Sequence, residues 1–109
     1  MINFNNIEET KIENFRGGEG VFKANMFTDS DSKIMRVTLE KGSSIGVHKH
    51  ESNCEIMYVI SGEGSFYLDG EVEVLKSEEC HYCPKGHTHW VKNTNEDPLV
   101  MFCVVAEVG

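Results

Sequence analysis

The stretch "GSSIGVHKHESNCEIMYVISG", residues 42–62, holds two of the chain's five histidines one residue apart, with a glutamate five positions after the second. Residues two apart on a β-strand project from the same face. His48 and His50 therefore stand side by side on an extended segment, with Lys49 facing the other way. Two imidazoles set like this can reach one ion together, as i, i+4 spacing allows on a helix. A turn across Glu51–Asn53 that returns the chain to the sheet would bring Glu55 back beside them. Two histidines and an acid sharing an exposed strand by accident would look the same, so the stretch alone leaves both readings open.

The surrounding chain reads as strands joined by tight turns. Turn signals recur at "RGGEG" (16–20), "TDSDS" (28–32), "EKGSS" (40–44), "SGEG" (61–64), "LDGE" (68–71), "PKG" (84–86) and "NTNEDP" (93–98). Gly, Asp, Asn and Ser at such short intervals are the punctuation of an all-β chain. Asp69-Gly70 between two β-rich runs is the dipeptide of a two-residue hairpin with positive φ. Met35, Val37 and Leu39 alternate with Arg36, Thr38 and Glu40, which predicts a strand buried on one side. "LVMFCVVA" (99–106) is apolar on both parities, so both of its faces should be covered, the second by the N-terminal segment or by a partner subunit. Only "NNIEETKIENF" (5–15) has the spacing for a helical turn or two. A sandwich or barrel is the expected architecture.

A second cluster, "PKGHTHWVKN" (84–93), sets His89 just after a sharp turn. Gly42, His48, His50, Glu55 and Gly62 stand as G-x5-H-x-H-x4-E-x6-G, and Pro84, Gly86, His89 and Asn93 as P-x-G-x2-H-x3-N. In this order these resemble the first and second motifs of the cupin superfamily. Fifteen residues separate Gly62 from Glu78, where the family usually has the glycine that opens its second motif. That departure bears on the local turn. The resemblance implies a single-domain all-β double-stranded β-helix, a jelly-roll barrel. Motif one would span 42–62 and motif two 78–93, with 1–20 an N-terminal extension or cover strand. It further implies His48, His50, Glu55 and His89 as ligands of one divalent transition metal ion per chain.

Three neutral imidazoles and one carboxylate suit Mn, Fe, Ni, Co or Zn and suit Ca or Mg poorly. An octahedral ion would keep two positions for water, substrate or dioxygen, whereas zinc could take all four ligands as a tetrahedral site. Cys80 and Cys83 with His87 and His89 invite a zinc-finger reading. "ECHYCP" reads as a strand, however, and residues three apart on a strand face opposite sides. His87 competes with His89 as a ligand or sits at the turn near the barrel mouth. His81 reads as an ordinary strand histidine satisfied by its neighbours. Cys54, next to Glu55, points away from the ion as a packed thiol. Met35, Met57, Phe66 and Met101 read as core, and Glu71, Glu73, Glu78 and Glu79 as a solvated face.

Bulk properties bound the partners. At 109 residues the chain supports one core. A net charge of −8 repels nucleic-acid phosphates and anionic membranes. No apolar run reaches the roughly 18 residues of a membrane span, and no basic region precedes an apolar stretch at the N-terminus. A cytoplasmic setting is expected, with reduced cysteines. Two function classes stand: a metal-dependent enzyme of oxygenase, isomerase or lyase type on a small carboxylate, keto acid or sugar derivative, and a non-catalytic metal- or ligand-binding module. In the enzyme reading the acid–base group would come from His87, Tyr58, Tyr67 or Tyr82. A homodimer is the expected assembly.

Overall fold

A computed structural model describes residues 1–108. The strands are β1 (Glu9–Glu13), β2 (Val21–Thr28), β3 (Ser32–Leu39), β4 (Ser44–Lys49), β5 (Asn53–Ser61), β6 (Glu63–Leu68), β7 (Glu71–Lys76), β8 (Cys80–Cys83), β9 (Thr88–Lys92) and β10 (Leu99–Glu107). They form a six-stranded sheet in the order β1-β2-β3-β10-β5-β8 and a four-stranded sheet in the order β4-β9-β6-β7. All pairings are antiparallel. The molecule is the expected all-β jelly roll. The two sheets close over one core in which Leu39, Met57, Val59, Phe66, Val91, Leu99 and Met101 are almost wholly withdrawn from solvent.

Local chemistry accounts for the elements. Met35, Val37 and Leu39 are buried while their β3 neighbours are less so, as the period-two pattern requires. Asp69 and Gly70 have φ of 49° and 94°, and they turn β6 into β7 in two residues. Asn93, fully buried, donates from Nδ2 to the carbonyls of Leu39 and Asp97, both at 2.9 Å. Its Oδ1 accepts from the Asn95 amide at 2.9 Å. One side chain thus ties the turn before β10 to the end of β3.

The helical turn or two expected over 5–15 take the form of single 3-10 turns at its ends, Phe4–Asn6 and Phe15–Gly17, and between them β1 pairs with β2 at the sheet edge. Edge pairing gives the β1 backbone a hydrogen-bond partner that one isolated helical turn could not match. Within one chain the N-terminal segment covers part of the outer face of β10. Phe4 packs on Phe102 with ring centroids 6.3 Å apart. Even so, Phe102 stays 37% exposed, beside exposed Ile56, Tyr58 and Tyr82.

The missing glycine at 78 has a visible consequence. The motif glycines Gly42, Gly62 and Gly86 have φ of 83°, 82° and 85°, and Glu78 takes the fourth corner at φ 73°. Its amide still bonds to the Val59 carbonyl at 2.9 Å, so the turn forms, but with an L-residue in left-handed backbone. That conformation costs about 1–2 kcal/mol, against about 0.4–1 kcal/mol for the extra unfolded-chain entropy of a glycine. Glu78→Gly is therefore expected to stabilise the protein by about 0.5–1 kcal/mol in urea denaturation. An unchanged or lower midpoint would show that the corner is not strained.

Candidate metal centre

The site draws on both sheets. His48 on β4 is the register partner of His89 on β9 in the smaller sheet. Glu55 lies near the start of β5 in the larger sheet. His50 follows β4 directly, and the "PKG" turn holds its backbone from both sides. The His50 amide donates to the His87 carbonyl at 3.0 Å, and the Gly86 amide donates to the His50 carbonyl at 2.6 Å. The proline–glycine turn of the second motif thus positions a histidine of the first.

His48, His50, Glu55 and His89 converge as a group positioned to hold a metal ion. His50 Nε2 lies 3.2 Å from His48 Nε2, 2.9 Å from His89 Nε2 and 3.1 Å from Glu55 Oε1. His89 Nε2 lies 3.0 Å from His48 Nε2 and 3.1 Å from Glu55 Oε1. The sixth separation, His48 Nε2 to Glu55 Oε1, is 3.9 Å. His50, Glu55 and His89 are buried, and the His48 side chain is 11% exposed.

Each imidazole is oriented from its far side. His48 Nδ1–H donates to the Gly46 carbonyl at 2.8 Å, and His50 Nδ1–H donates to Asn53 Oδ1 at 2.5 Å. Carbonyl and amide oxygens only accept, so in their neutral forms both rings present bare lone pairs at Nε2. His89 Nδ1 lies 3.1 Å from His81 Nε2. Burial would raise the Glu55 pKa, yet the contacts from His48, His50 and His89 outweigh it and hold the carboxyl well below the usual carboxylate range. Burial would lower the His50 pKa, but its bonds to Glu55 and Asn53 prevail and raise it, a sign that this point favours positive charge. At His89 burial prevails and the pKa falls.

Converging lone pairs beside an ionised, buried carboxylate repel one another unless a cation sits among them. The five shorter separations, 2.9–3.2 Å, are of the size that metal–nitrogen bonds of about 2.1 Å would give neighbouring donors around one ion. Three imidazoles and a carboxylate therefore fit a divalent transition ion in both chemistry and spacing.

Other sequence readings resolve as follows. His87 lies outside the cluster, exposed and paired with Asp69. That pairing is the chief cause holding Asp69 below its ordinary pKa. Tyr58 and Tyr82 lie on the exposed outer face of the larger sheet, and Tyr67 stacks on Trp90 at 5.4 Å. None of these four lines the cavity beside the cluster, so the expected sources of an acid–base group do not reach it. Cys80 is exposed and Cys83 buried on alternate sides of β8, and all four cysteines are free thiols. Burial pushes the Cys83 thiol up to about 11. Met35 and Met57 are core residues that also line the cavity.

His81 is the residue the sequence reading missed. It is 2% exposed, its ring lies parallel to that of His89, and its Nδ1 has no partner. Burial, reinforced by the charge on His89, pushes its pKa down to about 4, so it is neutral at neutral pH. With His89 Nε2 given to an ion, Nδ1–H donates to His81 Nε2 and the His81 proton sits on the unpartnered Nδ1. An alternating pattern marks His81 as inward-facing, but no local spacing links it to a histidine eight residues away on another sheet.

An antiparallel jelly-roll barrel with three histidines and a glutamate converging inside it defines a class: small, single-domain β-barrel proteins with an internal metal-binding group. Comparison with known proteins places the chain within that class. A family profile described as the cupin domain matches residues 35–105, and the chain belongs to the cupin family. It is 29% identical over 111 residues to an oxalate-binding protein of Thermotoga maritima, with 96% of this chain and 92% of that protein covered. A crystal structure described as a predicted oxalate decarboxylase from Thermotoga maritima superposes with a TM-score of 0.93, at 28% identity and 99% coverage of both chains. An RmlC-like cupin from Shewanella frigidimarina shares the fold, with a TM-score of 0.82 at 16% identity, covering 99% of this chain and 90% of that one.

Outer partners of metal-bound histidines typically change affinity by about 10–100-fold. His81→Phe is expected to weaken metal binding by that factor in competition with a chelating dye. His81→Gln, whose side-chain oxygen can accept from His89, should recover most of the loss. A His81→Phe variant with wild-type affinity would remove His81 from the centre.

Proposed function

We propose that the protein holds one divalent transition metal ion through His48, His50, Glu55 and His89, and that the ion takes up a small carboxylate chelator from the adjoining cavity. The observation that carries this reading is the set of inward-facing imidazole nitrogens around an ionised, buried Glu55. An octahedral ion held by these four residues would keep two positions for a ligand offering two oxygens at once. The cavity of about 250 Å³ beside the cluster is the size of a few-atom ligand with its water. The relative named an oxalate-binding protein supports a two-oxygen carboxylate as the ligand class.

Turnover of the bound carboxylate is the second reading. A Lewis-acidic ion polarises a coordinated oxygen, and the relative described as a predicted oxalate decarboxylase supports it. Apart from the cluster itself, the one carboxyl or imidazole on the cavity wall is exposed Glu51. Binding without turnover is the reading the walls favour.

We further infer a homodimer joined through the outer face of the larger sheet. Phe27, Ile56, Tyr58, Tyr82 and Phe102 share that face and are all more than a third exposed. Cross-strand pairing puts Phe102 beside Tyr58 and Ile56 beside Tyr82. A second copy would cover this contiguous apolar band. The four free thiols fit the reducing, cytoplasmic setting expected from composition. No helix among the described residues is long and apolar enough to cross a membrane.

The purified protein is expected to contain roughly one transition-metal ion per chain by mass spectrometry of the elements. His48→Ala and His89→Ala should each abolish most of it, and full metal in either variant would overturn the ligand assignment. Ligand imidazoles must be unprotonated, so metal affinity should fall as pH is lowered, because the raised pKa of His50 lets a proton compete with the ion there. Oxalate titrated into the loaded protein should bind, and product analysis of the same mixture decides between binding and turnover. Sedimentation should give a dimer, and a clean monomer would refute the proposed interface.

A further inference from the structure

The cavity mouth is closed on one side by a segment that precedes the barrel strands of both motifs. Asn14–Gly18 crosses β4 with two non-glycine residues in left-handed backbone, Asn14 at φ 52° and Arg16 at φ 57°. The segment is pinned there. Added side chains show how closely the two backbones meet: a Cβ on Gly46 would lie 2.0 Å from the Arg16 carbonyl oxygen, and one on Gly18 would lie 2.4 Å from that of Ser44. The Glu19 amide donates to Ser44 Oγ, and the Ser44 amide to the Glu19 carbonyl, each at 2.8 Å. Phe15 stacks on Phe22 with centroids 4.3 Å apart. A strained backbone held this firmly fixes where residue 16 can be.

Arg16 lines the same cavity as His48, His50 and Glu55. Its guanidinium lies 5.5 Å from the Phe15 ring centroid, and among the described residues no carboxylate comes within ion-pair distance of it. Lys33 and Lys49 also line this cavity and are likewise unpaired, against one exposed acid, Glu51. Arg16 and Lys33 thus border one opening of a molecule whose net charge is −8.

We propose that Arg16 is a specificity-determining residue, the outer anchor for a small dicarboxylate whose inner oxygens rest on the metal centre. A chelated two-carbon diacid leaves one oxygen of each carboxylate free, and the planar guanidinium fork can donate to both. The second carboxylate of a two-carbon diacid is what would tell it from a hydroxy acid with the same inner oxygens but one charge fewer. This inference rests on the carboxylate-chelator reading and adds to it the group that selects for the second charge.

The test is calorimetry on the metal-loaded protein with oxalate and with glycolate, a monoanion that also offers two oxygens to an ion. The wild type should bind oxalate more tightly. Arg16→Asn, which tolerates left-handed backbone, should lose about tenfold or more in oxalate affinity. Its loss of glycolate affinity should be much smaller, with metal content and thermal midpoint unchanged. Arg16→Lys keeps the charge without the fork and should fall between. Oxalate binding by Arg16→Asn within twofold of wild type would overturn the inference while leaving the carboxylate reading standing. Equal losses for both ligands would overturn it as well, by showing that residue 16 only shapes the mouth. A wild-type protein that binds neither ligand would refute the carboxylate reading itself, and the anchor with it.

Discussion

Like-signed electron density forced to one point is the constraint around which this barrel is organised. Three imidazole nitrogens and a carboxylate oxygen converge from β4, the turn after it, β5 and β9. The arrangement is tenable because each ring is held from behind, by the Gly46 carbonyl, by Asn53 and by His81. Those bonds fix which nitrogen of His48 and His50 carries the proton, and so turn the lone pairs inward. The same requirement explains why the site spans both sheets. One sheet supplies adjacent strands for His48 and His89, and only the facing sheet can present a carboxylate opposite His48.

His81 shows what this arrangement costs. Serving as acceptor for His89 places its own proton on a buried nitrogen with no partner, a penalty of about 1–3 kcal/mol. His81 lies beside Phe66, ring centroids 5.0 Å apart and tilted, and beside the parallel ring of His89 at 5.3 Å. Rigid support for His89 is obtained at the expense of local stability.

The parts of this architecture written in local spacing were legible from the sequence. His48 and His50 alternate because strands alternate, Asp69-Gly70 encodes a hairpin, and Met35, Val37 and Leu39 mark a buried face. The two motif spacings together pointed to the barrel and to the four converging residues. What depended on distant contacts was not legible. His81 meets His89 only once β8 and β9 lie in facing sheets. His87, two residues from His89, is drawn out to Asp69 by the hairpin turn instead of reaching the cluster. The N-terminal segment reads as weakly helical, but it becomes a strand because β2 offers an edge. Nothing in "ENFRGG" announces that Arg16 will be folded back across β4.

Gly46 belongs to both ends of the cavity. Its carbonyl orients His48 at the floor, and its missing side chain makes room for the segment that carries Phe15 and Arg16 at the rim. The floor and this part of the rim are thus joined through a residue that tolerates no substituent. Lys33 and Glu51, by contrast, line the opening and make no hydrogen bond or ion pair to any of the four converging residues. A descendant of this sequence could exchange those two while the four converging residues stayed in place. Change at position 46 would put floor and rim at risk together. In lineages that retain the crossing segment, the opening should diversify freely around an almost invariant hinge between cover and core.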